Sequence, residues 1–182
     1  MAFEQLVVYN LLLDVSFIKN ISFEPQKFKL SGAMDSPLVW QGDNIVFTGP
    51  VFIDGVIKQT EKRFIFVQGK FKTKIAVQCS RCLQQIETDL VGSFEGEFIP
   101  LGIAAQEEME EDFPGQFYSG DILDLAGLIH EGITFALPMQ FLCFDGCLGL
   151  CPHCGTNLNE GQCHCRKEQI DPRLEVLRKL LK

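Results

Sequence analysis

The sequence predicts an α+β protein: an antiparallel, barrel-like β domain with one packed helix, then a zinc-binding C-terminal extension that ends in a short helix. Three observations lead there. Period-two alternation runs through the first hundred residues, one helical apolar stripe follows, and six of the eight cysteines crowd into residues 143–165. The chain has 182 residues, is 46% apolar and contains 16 Phe, enough for the core of one domain with an appendage.

Phe28, Leu30 and Met34 share one parity, and Gly49-Pro50 interrupts an apolar stretch from Ile45 to Ile53. The clearest strands flank Cys79. Phe71, Thr73, Ile75 and Val77 alternate with Lys70, Lys72, Lys74 and Ala76, while Ile86, Thr88, Leu90, Gly92, Phe94, Gly96 and Phe98 alternate with mostly acidic residues. Such alternation sets one face on a core and the other in water, and the two runs read as an antiparallel hairpin. Lysines on one outer face and carboxylates on the other can pair across it, each exposed pair adding about 0.2–1 kcal/mol. Burial of the Phe/Ile/Leu face therefore dominates.

Residues 100–119 read as an acidic connector with Gly102, Pro114 and Gly115. A helix is expected near 121–137, capped by Ser119 or Asp121 and closed by Pro138. Its stripe is Ile122, Leu125, Ala126, Ile129, Ile133 and Ala136, widened by Leu123, Leu128 and Phe135. Gly127 and Gly132 each cost it about 1 kcal/mol relative to Ala. A last helix is expected over 172–181, with Asp171 as N-cap, Pro172 at its first position and Leu174, Leu177 and Leu181 as its stripe. The domains so read are a β-rich core, 1–138, and a cysteine-rich extension, 139–182.

No basic segment precedes the first apolar stretch, and that stretch is broken by Tyr9, Asn10 and Asp14, so neither a signal peptide nor a membrane span is expected. The expected location is the cytoplasm, where thiols stay reduced and eight cysteines point to metal. The net charge of -8 argues against a generic nucleic-acid binder. The charge is uneven, however: residues 100–124 carry seven acids and no Lys or Arg, and without them 17 acids face 16 basic residues. Basic residues gather between Lys58 and Arg81 and between Arg166 and Lys182.

Cys151-Pro-His-Cys154-Gly has the form of a zinc knuckle, in which two thiolates point into one tetrahedral site and Gly155 permits the turn behind them. Cys163-His-Cys165 would complete a four-thiolate site and give one zinc. Cys79-Ser-Arg-Cys82, where the hairpin should turn, is ambiguous alone among half a zinc site, a redox pair and packing. With Cys143 and Cys147 it would make a second zinc site; a single zinc, or a site drawing on His153 or His164, are the alternatives. The histidines read as neighbours of ligands, and His130 as a partly buried structural residue. No His-Glu-x-x-His, phosphate-binding loop or nucleophile elbow is present, so no catalytic residues are assigned. Thiol redox chemistry by Cys79 and Cys82, helped by Arg81, is the competing reading.

Val77-Gln-Cys79-Ser-Arg-Cys82-Leu, Asp121-Ile-Leu-Asp-Leu125 and Ala136-Leu-Pro138 resemble the YceD family of large ribosomal RNA subunit accumulation proteins. The tail Cys147-Leu-Gly-Leu-Cys151-Pro-His-Cys154-Gly-Thr-Asn157-Leu-Asn159, with Asp171-Pro-Arg-Leu174, is similar to that family's cysteine-rich C-terminal branch. The resemblance runs from about residue 70 to the end. It implies a non-enzymatic factor in ribosome biogenesis that supports 23S rRNA accumulation and large-subunit assembly. Family members differ in whether they carry the C-terminal cysteines, so zinc there is not essential to the shared role. Two modes of action follow. Lys70, Lys72, Lys74, Arg81, Arg166, Lys167, Arg173 and Arg178 would contact phosphates of 23S rRNA or its precursor, or the acidic segment 107–112 would hold a basic large-subunit ribosomal protein.

Overall fold

The computed structural model describes residues 11–16, 24–34, 38–40, 42–60, 64–104 and 115–165. The acidic run 107–112, the helix expected over 172–181, and Arg166, Lys167, Arg173 and Arg178 lie outside the described residues. The alternating runs on either side of Cys79 and Cys82 are the two longest strands, β6 (Ile65–Gln78) and β7 (Gln85–Pro100), which follow β1 (Leu12–Asp14), β2 (Gln26–Gly32), β3 (Leu38–Trp40), β4 (Asp43–Phe47) and β5 (Val51–Gln59). After them come α1 (Leu101–Ala104), β8 (Gln116–Tyr118), β9 (Ile122–Asp124) and α2 (Ala126–Ala136).

β6 and β7 pair antiparallel from Ile65↔Phe98 to Gln78↔Gln85. Val67, Phe71, Thr73, Ile75 and Val77 of β6 are buried on the same side as Leu90, Phe94 and Phe98 of β7. The opposite side carries the charges: Lys72 Nζ is 2.8 Å from Asp89, and Lys29 Nζ is 3.0 Å from Asp54. These exposed pairs are worth about 0.2–1 kcal/mol each, against about 1.5–3 kcal/mol for burying one large apolar side chain, so the inward row sets the register.

β6 is long enough to serve two neighbours on its other edge. Its first half pairs with β5, from Gln59↔Ile65 to Phe52↔Lys72, and further on Ile75 and Ala76 pair with Phe47 and Val46 of β4. β2 extends the sheet beyond β5, β3 extends it beyond β4, and β8 joins β7 in parallel. Among the described residues this sheet is open, with β2 and β8 as separate ends, rather than the barrel expected. The three-residue β8 meets only Phe98, Ile99 and Pro100 of β7 and offers too short an edge to carry the ladder round.

The helix begins later than its sequence stripe implied. Ile122–Asp124 forms β9 and pairs with β1, Leu123 pointing inward while Ile122 is exposed. Val15 N–H donates to Asp121 O at 2.7 Å, and Leu125 N–H to Leu11 O at 2.8 Å, so both ends of the expected first turn are already committed to a strand partner. The N-cap of α2 is Leu125, without a side-chain cap, rather than Ser119 or Asp121; just before it Asp124 Oδ1 accepts from Ala126 N–H at 2.9 Å in a local turn. Leu128, Ile129, Gly132 and Ile133 form its buried face, whereas Phe135, read as part of the stripe, is 81% exposed.

α2 lies close on β7 because glycines on both elements leave room for the neighbours they face. A methyl at Gly92 would collide with the Phe71 ring and Ala136, and one at Gly96 would stand 2.6 Å from Leu128 Cδ1. By packing the chain forms two units. Of the described residues, the first takes those up to Gln78 together with those from Gln85 to Phe141, and the second takes Cys79–Gln84 together with those from Leu142 to Cys165.

Gly→Ala inside a helix ordinarily stabilises, and α2 offers two sites that should behave oppositely. A methyl at Gly132 would sit 2.9 Å from the Ser93 carbonyl oxygen, which is backbone and cannot yield, while one at Gly127 meets only the end of the Gln116 side chain at 3.1 Å. Gly132→Ala should cost about 1–3 kcal/mol. Gly127→Ala should be neutral or gain up to about 1 kcal/mol. Denaturant unfolding followed by Trp40, the chain's one tryptophan, reads both, and equal effects would contradict the packing described.

Candidate metal centre

The second unit holds all eight cysteines, none in a disulfide, and they gather into two groups of four. Cys79, Cys82, Cys143 and Cys147 form one group, and Cys151, Cys154, Cys163 and Cys165 form the other. Within each, the sulfurs all lie within 4.8 Å of one another. Cys79 and Cys147 sulfurs are 3.8 Å apart, Cys82 and Cys143 3.6 Å, and Cys151 and Cys163 3.4 Å. Four sulfurs at about 2.3 Å from one tetrahedral cation stand about 3.8 Å apart. A disulfide would need about 2.05 Å. The donor sets and spacings therefore fit a metal such as zinc. His153 and His164 are exposed and belong to neither group, and half-buried His130 lies on α2 in the first unit.

Each group is founded on the same local turn. Leu83 N–H donates to Cys79 O at 2.9 Å and Cys79 N–H to Gln84 O at 2.9 Å; four residues after Cys151, Gly155 N–H donates to Cys151 O at 2.8 Å and Cys151 N–H to Thr156 O at 2.8 Å. The residue after the second cysteine takes a left-handed backbone in both, φ 60° at Leu83 and φ 73° at Gly155. Glycine adopts that conformation freely, whereas a leucine costs about 1–2 kcal/mol. The turn aims both sulfurs of a Cys-x-x-Cys pair to one side, and its occurrence at Leu83 shows that Cys79–Cys82 is built like the glycine-bearing knuckle.

The first group is buried at Cys79, Cys82 and Cys147 and packs with Leu142 and Leu150. Arg81, expected as an RNA contact or a helper of redox chemistry, directs Nη1 to Cys147 O at 2.8 Å. Gly149, at φ 77°, lets Leu150 N–H reach Arg81 O at 3.1 Å; a side chain there would stand 3.0 Å from that oxygen. The second group is more open, with Cys151 buried, Cys163 and Cys165 half-buried and Cys154 exposed.

Electrostatics divide each group. Burial alone would raise the Cys79 thiol, but backbone N–H groups of Cys82, Arg81 and Cys143 outweigh it and bring the pKa to about 6. Burial, together with the neighbouring thiols of Cys147, Cys82 and Cys79, pushes Cys143 up to about 12. In the second group the Thr156 hydroxyl and backbone lower Cys154 to about 6, while the Cys154 sulfur, followed by burial, raises Cys165 to about 12. One thiolate thus resists the next, as like charges in one small site must, and a divalent cation removes that conflict.

The residue the sequence reading missed is Asn159. Its Oδ1 accepts from Leu148 N–H at 2.7 Å, and its Nδ2 donates to Cys147 Sγ at 3.3 Å and to Asn157 Oδ1 at 2.8 Å. Asn159 lies in the loop between Cys154 and Cys163 of the second group, yet it orients a sulfur of the first. The Asn157-Leu-Asn159 pattern was its one visible signal.

Residues 67–181 match the model of a protein family described as large ribosomal RNA subunit accumulation protein YceD. The chain is similar to the large ribosomal RNA subunit accumulation protein YCED homolog 1, chloroplastic, of Arabidopsis thaliana, at 26% identity over 140 residues. That alignment covers 61% of this chain and 42% of the relative, so the chain spans under half the length of the curated relative it matches. No solved structure matches the chain.

Asn159→Leu keeps the side chain's bulk and removes the donor to Cys147. Loss of such an outer partner typically costs 10–100-fold in metal affinity. The expected result in a cobalt titration of the reduced protein is one site filling normally and one weakened about tenfold or more, with a shifted thiolate-to-cobalt absorption band. Two unaltered sites would mean that Asn159 only shapes the loop.

Proposed function

The chain belongs to the YceD family, and on that footing we propose that it is a non-enzymatic factor in ribosome biogenesis that supports 23S rRNA accumulation and large-subunit assembly. The observation that carries this reading is the family match over residues 67–181, which spans Lys70, Lys72, Lys74 and all eight cysteines. The two cysteine groups hold structural zinc. Four thiolates fill a tetrahedral shell, leaving no open position for a water or substrate, which suits a folding role rather than catalysis. Zinc supplies the charge that lets the thiolates converge; the chain supplies the knuckle turns, Arg81 and Asn159, which aim and hold them.

The partner is 23S rRNA or its precursor, contacted through the lysines of β6. Lys70, Lys72 and Lys74 are exposed on one side of that strand, at the spacing of every second residue. A basic ribosomal protein held by the segment 107–112 is the other partner consistent with the family. No helix among the described residues is long and apolar enough to cross a membrane. Eight unpaired thiols suit a reducing compartment such as the cytoplasm. Thiol–disulfide exchange by Cys79 and Cys82 fits less well, because an attacking thiolate must be accessible and Cys79 is fully buried.

Ultraviolet crosslinking of the tagged protein in growing cells, followed by sequencing of the attached RNA, tests the reading. The expected result is enrichment of one region of 23S rRNA or its precursor, diminished when Lys70, Lys72 and Lys74 are replaced by Ala. Background-level RNA would overturn direct contact and transfer the role to a protein partner.

A further inference from the structure

The solvent side of the sheet carries an aromatic ring among lysines. Phe52 on β5 is 54% exposed, and β-strand alternation alone would favour a polar residue there. It lines a shallow depression of about 320 Å3 with Lys29, Lys70, Lys72 and Val91. Across the sheet, Ser31, Phe52, Lys72 and Val91 stand in one row, and Lys29, Asp54, Lys70 and Ser93 in the next. We propose that this face is a subsite for single-stranded RNA, with a base stacked on Phe52 and the lysine stripe of β6 following the phosphates. The proposal rests on the RNA reading above and assigns it a place and a strandedness.

The order of the strands gives the subsite its polarity. Phe52 lies on β5, the lysines on β6, and the exposed acids Glu87, Asp89 and Glu95 on β7, beyond the stripe from Phe52. Phosphates repelled from β7 and drawn to β6 leave their bases over β5. Same-side residues along a strand repeat every ~6.8 Å, close to the separation of neighbouring phosphates in an extended single strand. Asp89 takes up the charge of Lys72 but not that of the whole stripe. Asp54 is paired with Lys29 and Asp89 with Lys72, while Lys70 and Lys74 make no ion pair among the described residues. A duplex keeps its bases stacked inside and could not use the ring; a single strand can, and every base has a face to offer it.

The test is fluorescence anisotropy of a labelled unstructured RNA oligonucleotide with the full zinc-loaded chain, over a range of salt. Phe52→Ala should weaken binding about tenfold with an unchanged salt slope. Phe52→Trp should bind at least as tightly as the wild type. Lys70→Ala and Lys74→Ala should each lower the salt slope by about 0.7. Phe52 is half exposed, so its variants should keep the wild-type circular dichroism melt. Wild-type binding that Phe52→Ala leaves unchanged would overturn the subsite and spare the RNA reading. Equal affinity for a hairpin duplex would overturn the stacking, and no binding by the wild type at low salt would remove the RNA reading and the subsite with it.

Discussion

Four thiol groups held within 4.8 Å of one another do not converge of their own accord, and the second unit of this chain holds two such groups. Each added thiolate repels the last. Backbone N–H groups bring Cys79 to about 6 and Thr156 does the same for Cys154, while burial and the neighbouring sulfurs drive Cys143 and Cys165 to about 12. The rest of the unit offers little to oppose this. Beyond the knuckle turns its described residues form one isolated bridge, Leu150↔Asn157, and its buried cluster is largely the cysteines themselves with Leu142 and Leu150. So small a segment cannot recover its ordering entropy from apolar burial alone. A cation bound by all four sulfurs would supply the missing free energy and offset the repulsion, making metal binding and folding one event.

The first unit is held by other means. Its core joins Phe71, Ile75 and Phe98 of the long hairpin to Ile129 and Ile133 of α2, all essentially buried. The helix approaches β7 closely through Gly92, Gly96 and Gly132, so small size at those positions contributes as much as apolar bulk at the others. That tight inner side leaves the other side of the sheet free to carry charge, and the lysine stripe there is a by-product of the same alternation that buries Phe71, Thr73, Ile75 and Val77.

Local pattern made much of this visible. The alternation through Lys70–Val77 and Ile86–Phe98 is strict enough to declare both strands, and Cys151-Pro-His-Cys154-Gly announces a knuckle. What stayed hidden depended on distant partners. Ile122–Leu125 fits a helical stripe and a strand equally well, and hydrogen bonds to Leu11 and Val15 decide the matter. Closure of the sheet could not be read either, because it depends on which edges meet. Spacing left several ways to divide eight cysteines; convergence of Cys79 and Cys82 with Cys143 and Cys147 spans more than sixty residues and is a property of the fold. Asn159 was legible only as part of a motif, since its partner Cys147 is 12 residues away. Leu83 gave no sign at all, because nothing but its backbone angle marks it as the counterpart of Gly155.

Native mass spectrometry of the protein purified without added metal or chelator tests the central claim most directly. The expected result is two zinc ions per chain with all eight cysteines reduced, and loss of both metals in strong chelator together with rapid hydrogen exchange across residues 142–165. A metal-free chain, or one whose mass shows pairs of cysteines oxidised to disulfides while those residues remain protected, would contradict it.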